Sequence, residues 1–368
     1  MASGIVSLVI AISGAIGAVP RAAAAVDARG WDPKAAASYL DDRATFWSTW
    51  PNAARDHGTF CMSCHTTLPF AIARPALRAV LGEKSPGAAE NRIFDNLLTR
   101  ARGYKEIEPF YPDQTNGIPK TSESRAIEAV MNALVLATRD GESGTLSADT
   151  KTAFGVMWRL QMKTGPQKGA WTWLNFGYEP WESPNSAYFG ASLAARAIGT
   201  APEAYASTAD IHDNLENLRA YFQREFDKQS PLNQLMGLWA TGRLPGLITP
   251  AQQAAIIKET FSLQLPDGGW STAMLGNYQR RDGSAIDRSS DGYATALATL
   301  ALQGGGVATS EPALRNGLDW LRHQQRPTGE WTASSPNKQR DPATVAAKFM
   351  SDAATAYAVL SLTYRASE

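Results

Sequence analysis

The segment TFSLQLPDGGWST, residues 260–272, ends a helical pattern with a glutamine, passes through a Pro/Gly turn and reaches glycine–x–tryptophan. Two other segments of this 368-residue chain repeat that order: MWRLQMKTGPQKGAWTW, residues 157–173, and LDWLRHQQRPTGEWTA, residues 318–333. An alanine-rich helical run follows each of the three after a loop of variable length. Such self-similarity predicts an architecture in which one pair of helices is repeated along the chain.

Small residues dominate the helical runs after these turns, which predicts inner helices that pack closely on both faces. The more polar helix before each turn is predicted to be its outer partner. The same alternation extends to helix pairs that lack the tryptophan turn. The inner runs are residues 186–199, 291–306 and 351–363, and the further pairs are 33–49 with 69–81, 90–103 with 123–138, and 213–227 with 231–241.

Strands are not indicated, because period-two alternation of β-branched and aromatic residues is nearly absent. Helix pairs with an inner and an outer layer can close into a ring. We therefore predict an all-α fold of one domain, an α/α toroid of about six helix hairpins whose inner helices line a central cavity.

The units Gln264–Trp270 and Gln325–Trp331 resemble the QW motifs of squalene–hopene and oxidosqualene cyclases. The inner sequences DGYATAL and DAATAYAVL resemble the same α/α-toroid superfamily, which includes protein prenyltransferases. The resemblance covers about residues 152–368 and implies structural roles for the glutamine, which stacks on the tryptophan, and for the tryptophan. It does not imply the chemistry, because the chain has no D-x-D-D motif, and both cysteines lie far from the helix pairs that hold zinc in prenyltransferases.

The two cysteines of the chain, Cys61 and Cys64, stand in the sequence CMSCH, which His65 completes. This order matches C-x-x-C-H, the attachment signal of c-type haem. Two thiols on one helical turn reach the two haem vinyl groups, and the histidine that follows is the proximal iron ligand. We therefore predict one covalent haem c with His65 on the iron, and the sixth ligand stays open. A Cys61–Cys64 disulfide, a zinc site and a chance match are the alternatives, although zinc lacks a second ligand cluster.

The first 25 residues have the pattern of a secretory signal peptide, with an apolar run at Ile5–Val19 and small residues at Ala22–Ala25. This predicts a periplasmic or secreted bacterial protein without a transmembrane anchor after cleavage, and c-type haem is attached outside the bacterial cytoplasm. The remaining chain divides into a haem-attachment segment, residues 26–85, which forms the first helix pair, and a cyclase-like toroid, residues 86–368.

The charge balance argues against a nucleic-acid partner, because Lys plus Arg and Asp plus Glu are both 35 and no basic stripe occurs. The loops between outer and inner helices fall at one end of a toroid, so the haem is expected beside the tryptophan turns. Residues 169–190 supply aromatic and acidic side chains there, either as a ligand wall or as a packed lid. Two aspartates begin inner helices, where they act as N-caps or join the wall. The candidates are Trp171, Trp173, Glu179, Trp181, Glu182, Tyr188, Asp291 and Asp352.

The leading hypothesis is an exported c-type cytochrome-like protein with one haem, which transfers electrons to a redox partner protein or binds a small ligand at the iron. An alternative is a terpenoid- or lipid-processing enzyme that uses the toroid cavity for its substrate. A further alternative is a binding protein without haem in which Cys61 and Cys64 form a disulfide.

Overall fold

The computed structural model describes Met1 and residues 30–364, and residues 30–364 form helices and loops. The predicted signal peptide, residues 1–25, lies outside the described residues apart from Met1. Strand pairing in the described part of the chain is confined to two isolated bridges, Ala54 with Phe60 and Tyr178 with Glu182. The all-α prediction is therefore confirmed.

Six helix pairs make up the described fold, each with an outer helix followed by an inner helix. The outer helices are α1 (Pro33–Thr49), α3 (Ala88–Arg102), α6 (Ala148–Leu160), α8 (His212–Glu225), α10 (Pro250–Ser262) and α13 (Pro312–Gln324). The inner helices are α2 (Thr67–Leu81), α5 (Lys120–Ser143), α7 (Ser186–Thr200), α9 (Pro231–Thr241), α12 (Gly292–Gly304) and α14 (Phe349–Leu362). Two short helices, α4 (Asp113–Asn116) and α11 (Thr272–Gly276), lie in connecting loops.

The inner helices form a closed ring. Each packs on the next in chain order, and α14 packs on α2 to complete the circle. Burial differs between the layers as the composition predicts: α12 is buried from Gly292 to Leu302, whereas α10 buries only Ile256 and Thr260. An element that is apolar on all sides belongs inside, and one with a narrow apolar stripe belongs outside. The fold is the predicted single-domain α/α toroid.

The three Gly-x-Trp turns share one set of hydrogen bonds. In each, the indole Nε1 donates to a carbonyl of the preceding outer helix, and the glutamine amide bridges its own turn to the start of the next outer helix. The indole bonds, each 2.7 Å, run from Trp171 to Met157, from Trp270 to Thr260 and from Trp331 to Leu321. The amide bonds run from Gln161 to Gly169 and Asn214, from Gln264 to Gly268 and Ala313, and from Gln325 to Gly329 and Asp32.

The last of these turns also closes the ring. The Gln325 amide donates to the Asp32 carbonyl at 2.9 Å and its oxygen accepts from the Asp32 amide nitrogen at 2.7 Å. Asp32 is the N-cap of α1, so the sixth pair is tied to the first. The Trp31 and Trp331 rings pack across the same seam, with centroids 5.9 Å apart.

The two ends of the ring differ in what they present. The inner helices begin at one end, which we call the mouth, and the long connecting loops cover it. They finish at the other end, which we call the far end. None of the helices in the described part of the chain has the length and apolar character needed to cross a membrane.

Candidate functional site

The loop that holds the cysteines is fixed to its neighbours by hydrogen bonds. The Asn96 side chain of α3 bonds both the amide nitrogen (2.8 Å) and the carbonyl (3.1 Å) of Phe60. The Trp47 Nε1 of α1 donates to the Cys61 carbonyl at 2.7 Å. The motif therefore has a defined position at the mouth. It occupies a loop and turn immediately before α2, so the expectation that both thiols lie on one helical turn is wrong.

Both thiols are buried, with 6% of Cys61 and 3% of Cys64 exposed, and both cysteines are free. Burial raises the pKa of Cys61 to about 11, and burial together with the Glu182 charge raises the pKa of Cys64 well above its usual range. Near neutral pH the folded protein thus holds two protonated thiols. A thiolate is the reactive form, so these groups are poor nucleophiles in the closed structure.

The His65 ring is held in one tautomer by its neighbours. Its Nδ1 lies 2.8 Å from the Thr66 hydroxyl oxygen, and that hydroxyl donates its proton to Asp352 at 2.7 Å. Because the hydroxyl hydrogen is used on Asp352, the Thr66 oxygen accepts from His65, and Nδ1 carries the proton. The Nε2 lone pair is left without a hydrogen-bond partner among the described residues.

Burial keeps the His65 imidazole neutral. It lowers the pKa of His65 to about 3, and the nearby positive charges of Arg43 and Arg340 act in the same direction. Ring contacts fix the imidazole further: it stacks on Phe349 at 3.8 Å between centroids and meets the Trp47 edge at 4.9 Å. A neutral, oriented imidazole with a free nitrogen is the form that binds a metal.

Asp352 is the central carboxylate of the site and is 1% exposed. It accepts from the Arg43 guanidinium at 2.7 and 2.9 Å and from the Tyr39 hydroxyl at 2.8 Å, in addition to Thr66. Asp352 lies in the first turn of α14, where Lys348 is the N-cap, so an N-cap role for it is wrong. Asp291 does cap α12, because its side chain accepts from the amides of the next turn.

Glu182 lies beside the two cysteines. Burial raises the pKa of Glu182 to about 7, and the Lys120 charge opposes that shift. Its charge in turn acts on both thiols. Trp181 lies on the other side of the site, with its ring centroid 5.7 Å from that of His65. The loop 175–185 therefore contributes one aromatic and one acidic group to the mouth.

The other candidates of the predicted wall lie elsewhere. Trp171 and Tyr188 are fully buried in the packing of the repeats. Trp173 packs on Phe189, with centroids 6.1 Å apart, and its Nε1 bonds the Trp181 carbonyl. Glu179 borders a separate cleft with Asn337. Of the eight predicted wall residues, the structure brings Trp181, Glu182 and Asp352 close to the cysteine motif.

A cavity of about 780 Å³ opens beside this group, a volume in the range of small-molecule sites. Tyr39 and Ser351 border it, so it reaches the edge of the Asp352 network. Its charged lining is mixed, with basic residues Arg280, Arg340 and Lys348 and acidic residues Asp42, Asp287 and Glu330. The sequence pattern indicated neither Tyr39 nor Arg43 of the site, since both lie on an outer helix with no motif.

Metal coordination by protein groups alone is not indicated at the mouth. The described residues contain no group of three or more His, Cys, Asp or Glu side chains that could hold a metal ion. The zinc alternative is therefore without support. A haem differs, because its macrocycle provides four of the iron ligands and it needs a single imidazole from the protein.

Comparisons with known proteins agree with the fold. The model of the squalene–hopene cyclase C-terminal domain matches residues 233–363. A wild-type glycosidase has a similar structure at 14% identity and a TM-score of 0.51, covering 91% of this chain and 97% of that one. The polysaccharide lyase BACCELL_00875 follows at 12% identity and 0.51, covering 90% and 96%. No curated protein sequence matches the chain.

These comparisons define the class of the protein. An α-1,6-mannanase from Salegentibacter sp. is a further similar structure, at 11% identity and a TM-score of 0.50, with 89% of this chain and 99% of that one covered. At such identities the likeness concerns the scaffold. The chain is an α/α-toroid protein, and its segment 233–363 is similar to the C-terminal domain of squalene–hopene cyclases.

Proposed function

We propose that the protein is an exported c-type cytochrome-like protein with one haem, attached at Cys61 and Cys64 and bound through His65. The observation that supports this best is the free Nε2 lone pair of a neutral, oriented imidazole beside two cysteines that are not in a disulfide. Bound haem would supply one-electron transfer or ligand binding at its iron. A redox partner protein or a small molecule would be the second participant.

The donor set fits this group. Each thiol would add across one haem vinyl group, the sulfur to one carbon and the hydrogen to the other, so no atom is lost. The hydrogen bonds from His65 through Thr66 to Asp352 are of the type that orients metal-binding histidines. Since both thiols are buried, attachment has to come before the mouth loops close over them.

The surroundings fit the charge of the group. Haem carries two propionates, and Arg280, Arg340 and Lys348 line the cavity that reaches the edge of the Asp352 network. Arg340 is close enough to His65 to influence its pKa. The comparisons support the toroid scaffold and give no support to haem attachment.

A second candidate is an enzyme of the toroid class that processes a small molecule in the mouth cavity. The supporting observation is the cavity itself, which has the volume of a ligand site and presents the carboxylates of Asp42, Asp287 and Glu330. That polar lining favours a polar substrate over the terpenoid or lipid expected from the family resemblance. The similar structures are enzymes, a glycosidase and a polysaccharide lyase, which makes this candidate the better supported one on the scaffold alone.

One experiment separates the two candidates. The protein is produced with haem-maturation machinery, and its intact mass and pyridine haemochrome spectrum are measured after acid–acetone extraction. We expect the mass of one retained haem, and its loss in Cys61→Ala/Cys64→Ala but not in the matched loop variant Met62→Ala. The same mass reports whether residues 1–25 are removed. A protein with two free or disulfide-bonded thiols and no Soret band would make the enzyme the first candidate.

A further inference from the structure

A second cavity lies at the far end of the ring, where the inner helices finish. It has a volume of about 410 Å³ and walls from all six inner helices, in which apolar side chains stand beside polar ones such as Thr138 and Thr200. These walls include Ile72, Ala76, Val80, Leu134, Leu300 and Leu360. The cavity is separate from the cysteine motif, which lies at the mouth. Its ligand therefore does not depend on the proposed haem.

Arg196 is the unusual residue of this cavity. Its guanidinium lies over the Trp239 ring, 4.2 Å from the centroid, and Nη1 donates a long bond of 3.3 Å to the Trp239 carbonyl. A guanidinium has five N–H donors, so most remain unused. None of the described carboxylates pairs with Arg196. Glu142 also lines the cavity, but Arg78 binds it at 2.8 and 2.9 Å.

Arg196 is a cation in this cavity without a carboxylate partner among the described residues. Burial lowers the pKa of Arg196 to about 9, and the charge of Arg243, which also lines the cavity, acts in the same direction. Placing a cation in an apolar site costs free energy unless an anion or hydrogen bonds compensate it. Trp239, which also lines the cavity, has a buried Nε1 without a hydrogen-bond partner among the described residues.

We propose that the far-end cavity binds a medium-chain carboxylate, with the carboxylate on Arg196 and the hydrocarbon tail against the apolar walls. A planar guanidinium matches a carboxylate with two parallel hydrogen bonds. At ~30 Å³ for each water-sized group, the cavity has room for about a dozen heavy atoms, the size of decanoate. The structural alternative is that Arg196 compensates the carbonyl ends of the inner helices, which carry partial negative charge.

The test is calorimetric titration of the full chain with three probes: decanoate, decanol and acetate. Decanoate carries both the charge and the tail, decanol lacks the charge, and acetate lacks the tail. We expect saturable binding of decanoate at one site, with decanol and acetate each weaker by roughly tenfold or more, because a charge-assisted hydrogen bond and apolar burial each contribute that much.

Variants then assign the carboxylate to its partner. Arg196→Met keeps the length of the side chain without its charge and should weaken decanoate binding by roughly tenfold or more. Arg196→Lys should retain part of the affinity, because it keeps a cation without the planar fork. The matched control Arg326→Met removes an exposed charge at the mouth and should bind as the wild type does.

The outcomes are distinct even if Arg196→Met is unstable, since the probe series uses the wild-type protein. Equal affinity for decanoate and decanol would mean an apolar pocket in which Arg196 has a structural role. Equal affinity for decanoate and acetate would mean a small-anion site. Either result, or no binding of decanoate, overturns the proposal.

Discussion

At the scale of single residues, the mouth shows which site groups a sequence can reveal. Cys61, Cys64 and His65 were predicted together because they are adjacent in the chain. The groups that orient His65 could not be predicted in the same way, because Asp352 lies 286 residues from Thr66 and 309 from Arg43. Only the closed ring brings α1 and α14 to the same point. Asp352 was predicted at the mouth because it begins an inner helix, but its hydrogen bond with Thr66 was not predicted.

Glu182 provides a pH-dependent test of the closed mouth. Its pKa is raised to about 7, so the folded state holds its proton more tightly than the unfolded state does. The free energy of unfolding should therefore fall as pH rises from about 5 to 7 and level off above that. Glu182→Gln has no such charge, so its stability relative to wild type should rise by ~2 kcal/mol between pH 5 and pH 8.

Urea unfolding at pH 5 and pH 8 measures this difference. The matched control is Glu106→Gln, which removes an exposed carboxylate and should keep the same stability relative to wild type at both pH values. If the stability difference between Glu182→Gln and wild type does not change with pH, Glu182 is in contact with water and the mouth is more open than described.

At the scale of elements, the structure of the Gly-x-Trp turn explains why the helix-pair repeat could be recognised in the sequence. Its glycine has a positive φ, +97° at Gly169 and +100° at Gly329. A Cβ added there would lie 2.0 Å from the Asn217 carbonyl oxygen and 2.1 Å from that of Ala35. The turn thus needs glycine for two reasons: the positive φ of its backbone and the close contact with the next outer helix. Because each repeat makes that contact, glycine recurs at the same place in each repeat.

Gly329→Ala tests this contact. The left-handed φ costs ~1 kcal/mol for alanine, and the clash with the main chain of α1 should bring the loss of unfolding free energy to ~3 kcal/mol. Gly283→Ala is the matched control, because Gly283 also has a positive φ, +71°, but no atom within 4 Å of an added Cβ. Thermal and urea unfolding of both variants should separate the cost of backbone strain from the cost of the steric clash. If both variants lose the same free energy of unfolding, the turn is not in close contact with α1.

The helices were more predictable than the loops between them. The predicted pairs all exist, with ends that agree to within a few residues, because amphipathic outer helices and small-residue inner helices differ in composition along their whole length. The largest difference is α5, which extends to Lys120–Ser143 beyond the predicted 123–138. The long loops have no such period, so α4 and α11 were not foreseen. The burial of Trp171 and Tyr188 was not foreseen either, because it depends on tertiary contacts.

At the scale of the whole molecule, one scaffold holds two ends of different chemistry. The mouth has polar and charged groups on irregular loops, and the far end has a cavity between regular helices whose lining combines apolar residues with Arg196. A ring makes this separation possible, because all inner helices begin at one end and finish at the other. Closure of the ring is thus a condition for both sites: Arg43 of α1 reaches Asp352 of α14 only across the seam.

Substitution of Gln325 tests whether the ring is closed at this seam. The Gln325 amide makes the same kind of hydrogen bonds as the Gln264 amide, but it joins the last helix pair to the first. Gln264 joins α10 to α13, which are consecutive outer helices, whereas Gln325 joins the sixth pair to Asp32 at the start of the first. Each substitution by alanine removes hydrogen bonds worth ~1 kcal/mol apiece, so similar global losses of 2–3 kcal/mol are expected from both. Their local effects should differ. Hydrogen exchange followed by mass spectrometry should show α1 opening about tenfold more often in Gln325→Ala, and α1 unchanged in Gln264→Ala. An opened seam frees α1 from the sixth pair, while its contacts with α2 and α3 persist. Equal protection of α1 in the two variants would show that the seam is held by the Trp31 and Trp331 rings instead of by this amide.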